Sequence, residues 1–217
     1  MPQQKTNWFE VWKKGSIAFH QSEINPYLQK YCHLLQEYPH ILFPLCGKTQ
    51  DLHFLHEKGH QCSGVEMVES AVRDFFAEWG HEPVLQQSLQ CLTHENISIY
   101  NQNIFSLKKN NISPIDAVYD RAALVAFHPE LQSQYVAHLI SLLPIGSKIL
   151  LVTYTMPRPS DQGPPYSISQ NRVQELYQSY AKSITLLEEI KQTQDDLPFL
   201  KKRNLEWMST QVWIIDL

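Results

Sequence analysis

The run Ile41-Leu42-Phe43-Pro44-Leu45-Cys46-Gly47-Lys48, followed by Cys62-Ser63-Gly64-Val65-Glu66, decides how this chain folds. Ile41-Leu42-Phe43 is a short apolar run closed by a proline, which reads as a strand buried on both faces. Thr49 is placed to cap a helix over 50–58, and Asp51 stands where a negative charge meets the helix dipole. Gly59 ends that helix, and a second strand is expected over 61–66. A strand, a covering helix and another buried strand form the repeating unit of a layered α/β domain.

The same alternation extends in both directions. Ahead of the first strand, helices are expected over 6–14, with Trp8, Phe9 and Trp12, and over 24–37, with Leu28, Tyr31, Leu34 and Leu35 at helical spacing. After the second strand, Val68, Val72, Phe75, Phe76 and Trp79 form the apolar stripe of a helix over 68–79 that Gly80 ends. Strands are expected over 97–101 and 116–120. Pro129 opens a helix running to Leu143, and Gly146 precedes a strand over 148–154. A proline-rich loop over 157–165 leads to a helix over 169–179, and the end of the chain reads as β over 183–190 and 205–216. The expectation is a doubly wound, mostly parallel seven-stranded sheet with helices on both faces and an antiparallel C-terminal strand. With no repeat or linker in sight, residues 1–217 read as one domain, its first 38 residues forming a helical N-terminal part.

Composition narrows the function. The chain has 217 residues, 43% of them hydrophobic and 18% charged, which suits a globular domain with a single core. Its net charge of −4 and pI near 6.2 speak against a nucleic-acid partner. No run reaches the ~18 apolar residues of a membrane helix, and the polar start Met1-Pro2-Gln3-Gln4 is unlike a signal peptide. Cysteines 32, 46, 62 and 91 then read as free thiols in a reducing compartment, the cytoplasm.

Doubly wound sheets bind ligands at the carboxyl ends of their strands. There the chain places Gly47 after the first strand and, nineteen residues later, Glu66 at the tip of the second. An acid at that tip can accept both hydroxyls of a ribose. The loop has one glycine where a dinucleotide fingerprint has three, and it does not match a Walker A loop. With only 7 glycines in the chain and one in this loop, the sequence argues for a ligand without a pyrophosphate, and a phosphate-free adenosine ligand such as S-adenosylmethionine fits. A structural turn followed by a solvated acid accounts for the same features. His53, His56, His60 and Cys62 raise a zinc site, but a turn divides them and no metal is expected.

At this point the sequence resembles the thiopurine S-methyltransferase family in its bacterial form. The resemblance is carried by Trp8-Phe9 through Trp12, Gly15, Phe19-His20, Asn25-Pro26, Pro44-Leu45-Cys46-Gly47-Lys48, Asp51 and Gly64-Val65-Glu66. It continues through Phe75-Phe76-Ala77-Glu78, the run Asp116-Ala117-Val118-Tyr119-Asp120-Arg121-Ala122-Ala123-Leu124, and Gly163-Pro164-Pro165, and it thins over 166–217. It implies a Rossmann-like methyltransferase fold with S-adenosylmethionine as methyl donor and S-adenosylhomocysteine as product. The donor residues it implies are Trp12, Leu45, Glu66 and Arg121. Glu66 would take the ribose, Arg121 the methionine carboxylate, and Trp12 the amino-acid end. Leu45 and Gly47 would bring the backbone to the sulfonium. Asn103 and Ile104 stand where related folds hold adenine; many relatives carry aspartate at the first of these positions.

The family methylates the sulfur of aromatic and heterocyclic thiols, thiopurines among them, and its bacterial members are associated with selenium and tellurium compounds. A small-molecule thiol or metalloid acceptor is therefore implied, with the enzyme acting as a monomer. Phe19 is expected to line the acceptor pocket with His20 beside it, under residues 1–38 and the Gly163-Pro164-Pro165 loop. Cys46 reads as a packed side chain, not a nucleophile. Three readings compete: a nicotinamide-dependent oxidoreductase on a similar fold, a methyltransferase with a non-thiol acceptor, and a donor-binding protein without turnover.

Overall fold

The computed structural model describes residues 6–15, 17 and 19–217. Residues 1–5 of the expected N-terminal cover lie outside the described residues. The chain divides into two compact units, one of residues 7–119 and 142–147, the other of residues 120–141 and 148–217.

The first unit begins with α1 (Trp8–Lys13), whose N-cap Asn7 accepts the Glu10 amide at 3.3 Å. Next is α2 (Pro26–Tyr31), with proline in its first turn and Asn25 as cap. The expected helix over 24–37 does not run straight through; after Tyr31 it tightens into a 3₁₀ turn over Cys32–Leu35. Then come β1 (His40–Pro44), α3 (Asp51–Glu57), β2 (Gln61–Val65) and α4 (Glu69–Trp79). Every residue of β1 is buried, as a strand flanked by parallel neighbours requires. Gly80 closes α4 at φ 79°, a left-handed conformation that costs glycine little. The unit continues with β3 (Val84–Gln86), β4 (Cys91–His94), β5 (Ile97–Tyr100) and the start of β6 (Ala117–Arg121).

These strands run in the order β3-β4-β5-β2-β1-β6. β1 lies parallel to β2, from His40 opposite Gln61 to Pro44 opposite Val65. It is also parallel to β6, and β2 is parallel to β5. His40 fastens this centre. Its amide donates to Asp116 Oδ2 at 2.9 Å, and its ring nitrogens lie 2.8 Å from the Pro114 carbonyl and 2.8 Å from Ser63 Oγ. Burial lowers its pKa, so the ring is neutral.

The described residues form nine strands where seven are expected. The additional pair, β3 and β4, joins β5 as an antiparallel extension. All of β3 is exposed and most of β4 is half-buried. Strands that bury little need no apolar alternation, so periodicity did not reveal them. A second correction concerns α3. Its N-cap position is Gln50, while the Thr49 hydroxyl lies 3.3 Å from the Asp51 amide. Asp51 does more than face the helix dipole. It is 1% exposed and accepts the Asn25 amide at 2.8 Å.

The second unit holds a 3₁₀ turn over Leu124–Ala126, most of α5 (Pro129–Leu142), β7 (Lys148–Thr155), α6 (Gln170–Tyr177), β8 (Ser183–Thr193), α7 (Phe199–Lys202) and β9 (Trp207–Asp216). β9 pairs antiparallel with β7 from Lys148–Asp216 to Thr155–Ser209, and antiparallel with β8 on its other side. The Trp213 indole is 2% exposed and donates to Thr153 Oγ1 at 3.2 Å, which keeps a large ring buried without an idle donor. The α/β class with a mostly parallel core and antiparallel C-terminal strands is therefore as expected. No helix among the described residues is long and apolar enough to cross a membrane.

Gly64 in β2 offers a test of this packing. A Cβ there would stand 2.6 Å from Cys46 Sγ and 3.3 Å from Ile99 Cγ1. Gly64→Ala should lower stability by about 1–3 kcal/mol, the usual cost of overpacking, read as a fall in the urea midpoint. Adding Cys46→Ala should restore most of the loss.

Candidate functional site

The chain leaves β1 through two left-handed residues, Leu45 at φ 50° and Gly47 at φ 54°. The first costs a non-glycine residue about 1–2 kcal/mol, so the turn has to be held. The Cys46 amide helps by donating to the Val65 carbonyl at 3.1 Å. The main hold is Glu66, one residue beyond β2 and 7% exposed. Its Oε2 accepts the Gly47 amide at 3.0 Å and its Oε1 accepts the Val68 amide at 2.8 Å. Its own carbonyl accepts Asn101 Nδ2 at 3.0 Å, and its amide reaches the Tyr100 carbonyl at 3.1 Å.

Burial raises the Glu66 pKa, and the amides of Val68, Gly47 and Met67 pull it back. An ionised carboxylate has about four acceptor positions. The Gly47 and Val68 amides take two of them and the Met67 amide leans on a third, which leaves room for a further hydroxyl donor. Burial, and after it the Glu66 carboxylate, push the Cys46 thiol well above its ordinary value, so it stays protonated. A nucleophilic thiolate at that position is not what this environment favours.

Trp12 lies against the loop. A Cβ on Gly47 would meet Trp12 Cζ2 at 3.0 Å, so residue 47 must be small as well as left-handed. Phe19 sits edge-on to both Trp12 and Trp8, with ring centroids 5.7 Å and 5.6 Å apart. Phe19, Trp12, Gly47 and Glu66 thus form one continuous series of contacts. His20 is half-buried at the end of the aromatic segment, its amide bonded to the Ile17 carbonyl at 2.8 Å. Asn103 is exposed and caps the 3₁₀ turn Ile104–Ser106 by accepting the Phe105 amide at 3.0 Å; Ile104 is buried.

Arg121 is the last residue of β6 and is half-buried. Its predecessor Asp120 has no exposed surface. The Asp120 carboxylate accepts the Tyr135 hydroxyl at 2.7 Å and the Leu124 amide at 3.0 Å. Burial pushes its pKa up to about 6 despite those bonds.

The histidines of the set-aside zinc reading have separate partners. His53 stacks on Phe75 with centroids 4.4 Å apart, His56 pairs with Glu95 at 2.8 Å, and His60 bonds the Tyr38 carbonyl at 2.9 Å. No group of three metal-binding side chains occurs among the described residues.

The sequence gives no role to Asn101 and marks Tyr135 only as an inward-facing residue of the helix that Pro129 opens. Neither stands in a motif, and each acts through a partner 35 or 15 residues away. For Asn101 the sequence offers its place directly after β5, and for Tyr135 its place on the apolar face of α5, signals that many residues share.

A loop and an acid at the carboxyl ends of adjacent parallel strands are the binding arrangement of Rossmann-like folds. Solved structures of methyltransferases share the architecture. One is the 1,6-didemethyltoxoflavin-N1-methyltransferase of Burkholderia thailandensis with bound 1,6-didemethyltoxoflavin and S-adenosylhomocysteine. It has a TM-score of 0.66 and 16% identity, and the match covers 96% of this chain and 84% of that one. Another is the N-methyltransferase NodS of Bradyrhizobium japonicum WM9 in complex with S-adenosylhomocysteine, with a TM-score of 0.64 and 10% identity over 97% and 98% of the two chains. The fold is thus that of Rossmann-like methyltransferases.

Sequence comparison makes the assignment narrower. The family model described as thiopurine S-methyltransferase matches residues 3–216, including the C-terminal third. The thiopurine S-methyltransferase of Nitrosospira multiformis is 39% identical over 178 residues, 80% of this chain and 81% of the relative. That of Shewanella sp. strain ANA-3 is 37% identical over 213 residues, 96% of each. This chain belongs to the thiopurine S-methyltransferase family, a family of S-adenosylmethionine-dependent methyltransferases.

The buried Asp120 makes a pH prediction. Its folded value of about 6 stands above the ordinary 3.8, so between these values the folded state keeps a proton that the unfolded state has lost. Its contribution to stability therefore falls as pH rises through this window. Relative to Asp120→Asn, the unaltered protein should lose about 2 kcal/mol between pH ~4 and pH ~7. Urea unfolding of both proteins at the two pH values measures the difference.

Proposed function

We propose that this protein transfers the methyl group of S-adenosylmethionine to the sulfur of aromatic and heterocyclic thiols such as thiopurines, with selenium and tellurium compounds as further candidate acceptors. The observation that carries the donor reading is Glu66. It is a buried carboxylate that binds its own loop through Gly47 and Val68 and stands one residue beyond β2, where an acid can accept ribose hydroxyls. Trp12, Leu45 and Gly47 take the amino-acid and sulfonium end, Asn103 and Ile104 the adenine, and Arg121 the methionine carboxylate. When bound, S-adenosylmethionine supplies a methyl group made electrophilic by its positive sulfur. Phe19 and His20 face the acceptor. The Trp8–Phe19–Trp12 stack gives that side an apolar wall, which suits an aromatic thiol and excludes water from a reaction in which opposite charges cancel.

Residues 1–217 act in this reading as one methyltransferase domain with 1–38 as the N-terminal cover. The enzyme works as a monomer in the cytoplasm on small molecules. The absence of a basic surplus and the four free thiols support that setting.

Calorimetric titration and a labelled methyl-transfer assay test the proposal together. S-adenosylhomocysteine should bind and NAD should not. Glu66→Gln should weaken S-adenosylhomocysteine roughly 10–100-fold, as expected for losing hydrogen bonds to a charged acceptor. Transfer should be seen to at least some members of a panel of aryl thiols, thiopurines and selenite. Donor binding with no transfer to any of them would mean a binding protein or a different acceptor class. Phe19→Ala should raise the acceptor KM roughly tenfold through loss of an aromatic contact; unchanged acceptor KM and kcat would remove Phe19 from the pocket.

A further inference from the structure

We infer that Asp120 is a positioning residue for Arg121: its carboxylate closes the turn that follows β6 and so sets where the guanidinium is held. The inference rests on the reading above, in which Arg121 takes the methionine carboxylate of the donor.

The local backbone demands such a device. Directly after Arg121, Ala122 sits at φ 66°, a left-handed conformation that alanine rarely adopts. The following 3₁₀ turn is closed by the Ala126 amide on the Ala123 carbonyl at 2.9 Å and the Phe127 amide on the Leu124 carbonyl at 3.2 Å. Neither bond spans Arg121 or Ala122. The Asp120 carboxylate does span them: Oδ1 accepts the Leu124 amide, which encloses residues 121–123 in one ring, and the Ala123 amide leans on the same group. Oδ2 is held from another element, by the Tyr135 hydroxyl of α5. Ala123, Leu124 and Tyr135 have no exposed surface, so the ring is packed on its inner side. Arg121 is its half-buried member.

The choice of an acid is informative. A fully buried carboxylate is costly to ionise, and a neutral amide or an apolar side chain would serve a core better. The carboxylate gives something those groups lack, namely two charge-assisted bonds in fixed directions from one residue, one along the chain and one across to α5. That is the requirement for aiming the next side chain, not for filling space.

A double-mutant cycle read by S-adenosylhomocysteine affinity separates the possibilities. Asp120→Asn alone should weaken binding roughly tenfold, within the range for replacing a charge-assisted bond. In an Arg121→Ala background the same change should cost less than about twofold, because a residue acting through Arg121 has nothing left to aim. Donor KM should rise while acceptor KM stays level, a split that general loosening of the fold would not produce. Tyr135→Phe, a milder change, should cost roughly threefold alone and nothing further without Arg121; it decides the matter if Asp120→Asn does not fold. Additive losses in both backgrounds would overturn the positioning role while leaving Arg121 in the donor site. If Arg121→Ala itself leaves affinity unchanged, the assignment of Arg121 to the donor is what fails, and the positioning role falls with it.

Discussion

The carboxylate of Glu66, shared between the amides of Gly47 and Val68, is the interaction on which the site depends. It joins the end of β1 to the end of β2 at the point where the chain must turn through left-handed residues. A loop of this kind has no glycine-rich run to line it with amides, so its shape is imposed from outside by an acid. The acid is then oriented, desolvated and still able to accept more. Trp12 against Gly47, and Phe19 against Trp12, extend the same contact towards the aromatic segment.

The second unit solves a related problem in the same way. Strand β6 is also followed by a left-handed residue, Ala122, and a buried acid again bridges the turn to a neighbouring element. In both places the turn after a strand is braced by a carboxylate, with a single glycine, Gly47, in the first and none in the second. This accounts for how a chain with seven glycines can present precise loops. It also places a cost on the fold, because each acid is held where burial raises its pKa.

Much of this was legible beforehand. The Ile41–Phe43 run, the Gly47–Glu66 spacing and the stripe from Val68 to Trp79 pointed to β1, β2 and α4 at almost their final boundaries. Buried parallel strands are nearly all apolar and covering helices are strongly amphipathic, so both leave a clear pattern. The β3–β4 extension left none, because exposed strands accept polar residues. The break after Tyr31 was hidden because a 3₁₀ turn keeps helix-like spacing over a few residues. The start of α3 was legible to within a residue, with Gln50 and not Thr49 at its N-cap, yet the burial of Asp51 against Asn25 depends on a contact across 26 residues that no local window contains.

By itself the sequence determined the α/β class, the strand ends at which a candidate site is read and the family to which the chain belongs. These follow from periodicity and from short strings of residues whose meaning is local. Only the tertiary structure decided that Glu66 holds its own loop, that Trp12 packs on Gly47, and that Asp120 reaches both Leu124 and Tyr135. Each of those depends on direction and distance between side chains brought together by folding, and on the low dielectric that burial creates around them. Spacing along a chain carries neither quantity.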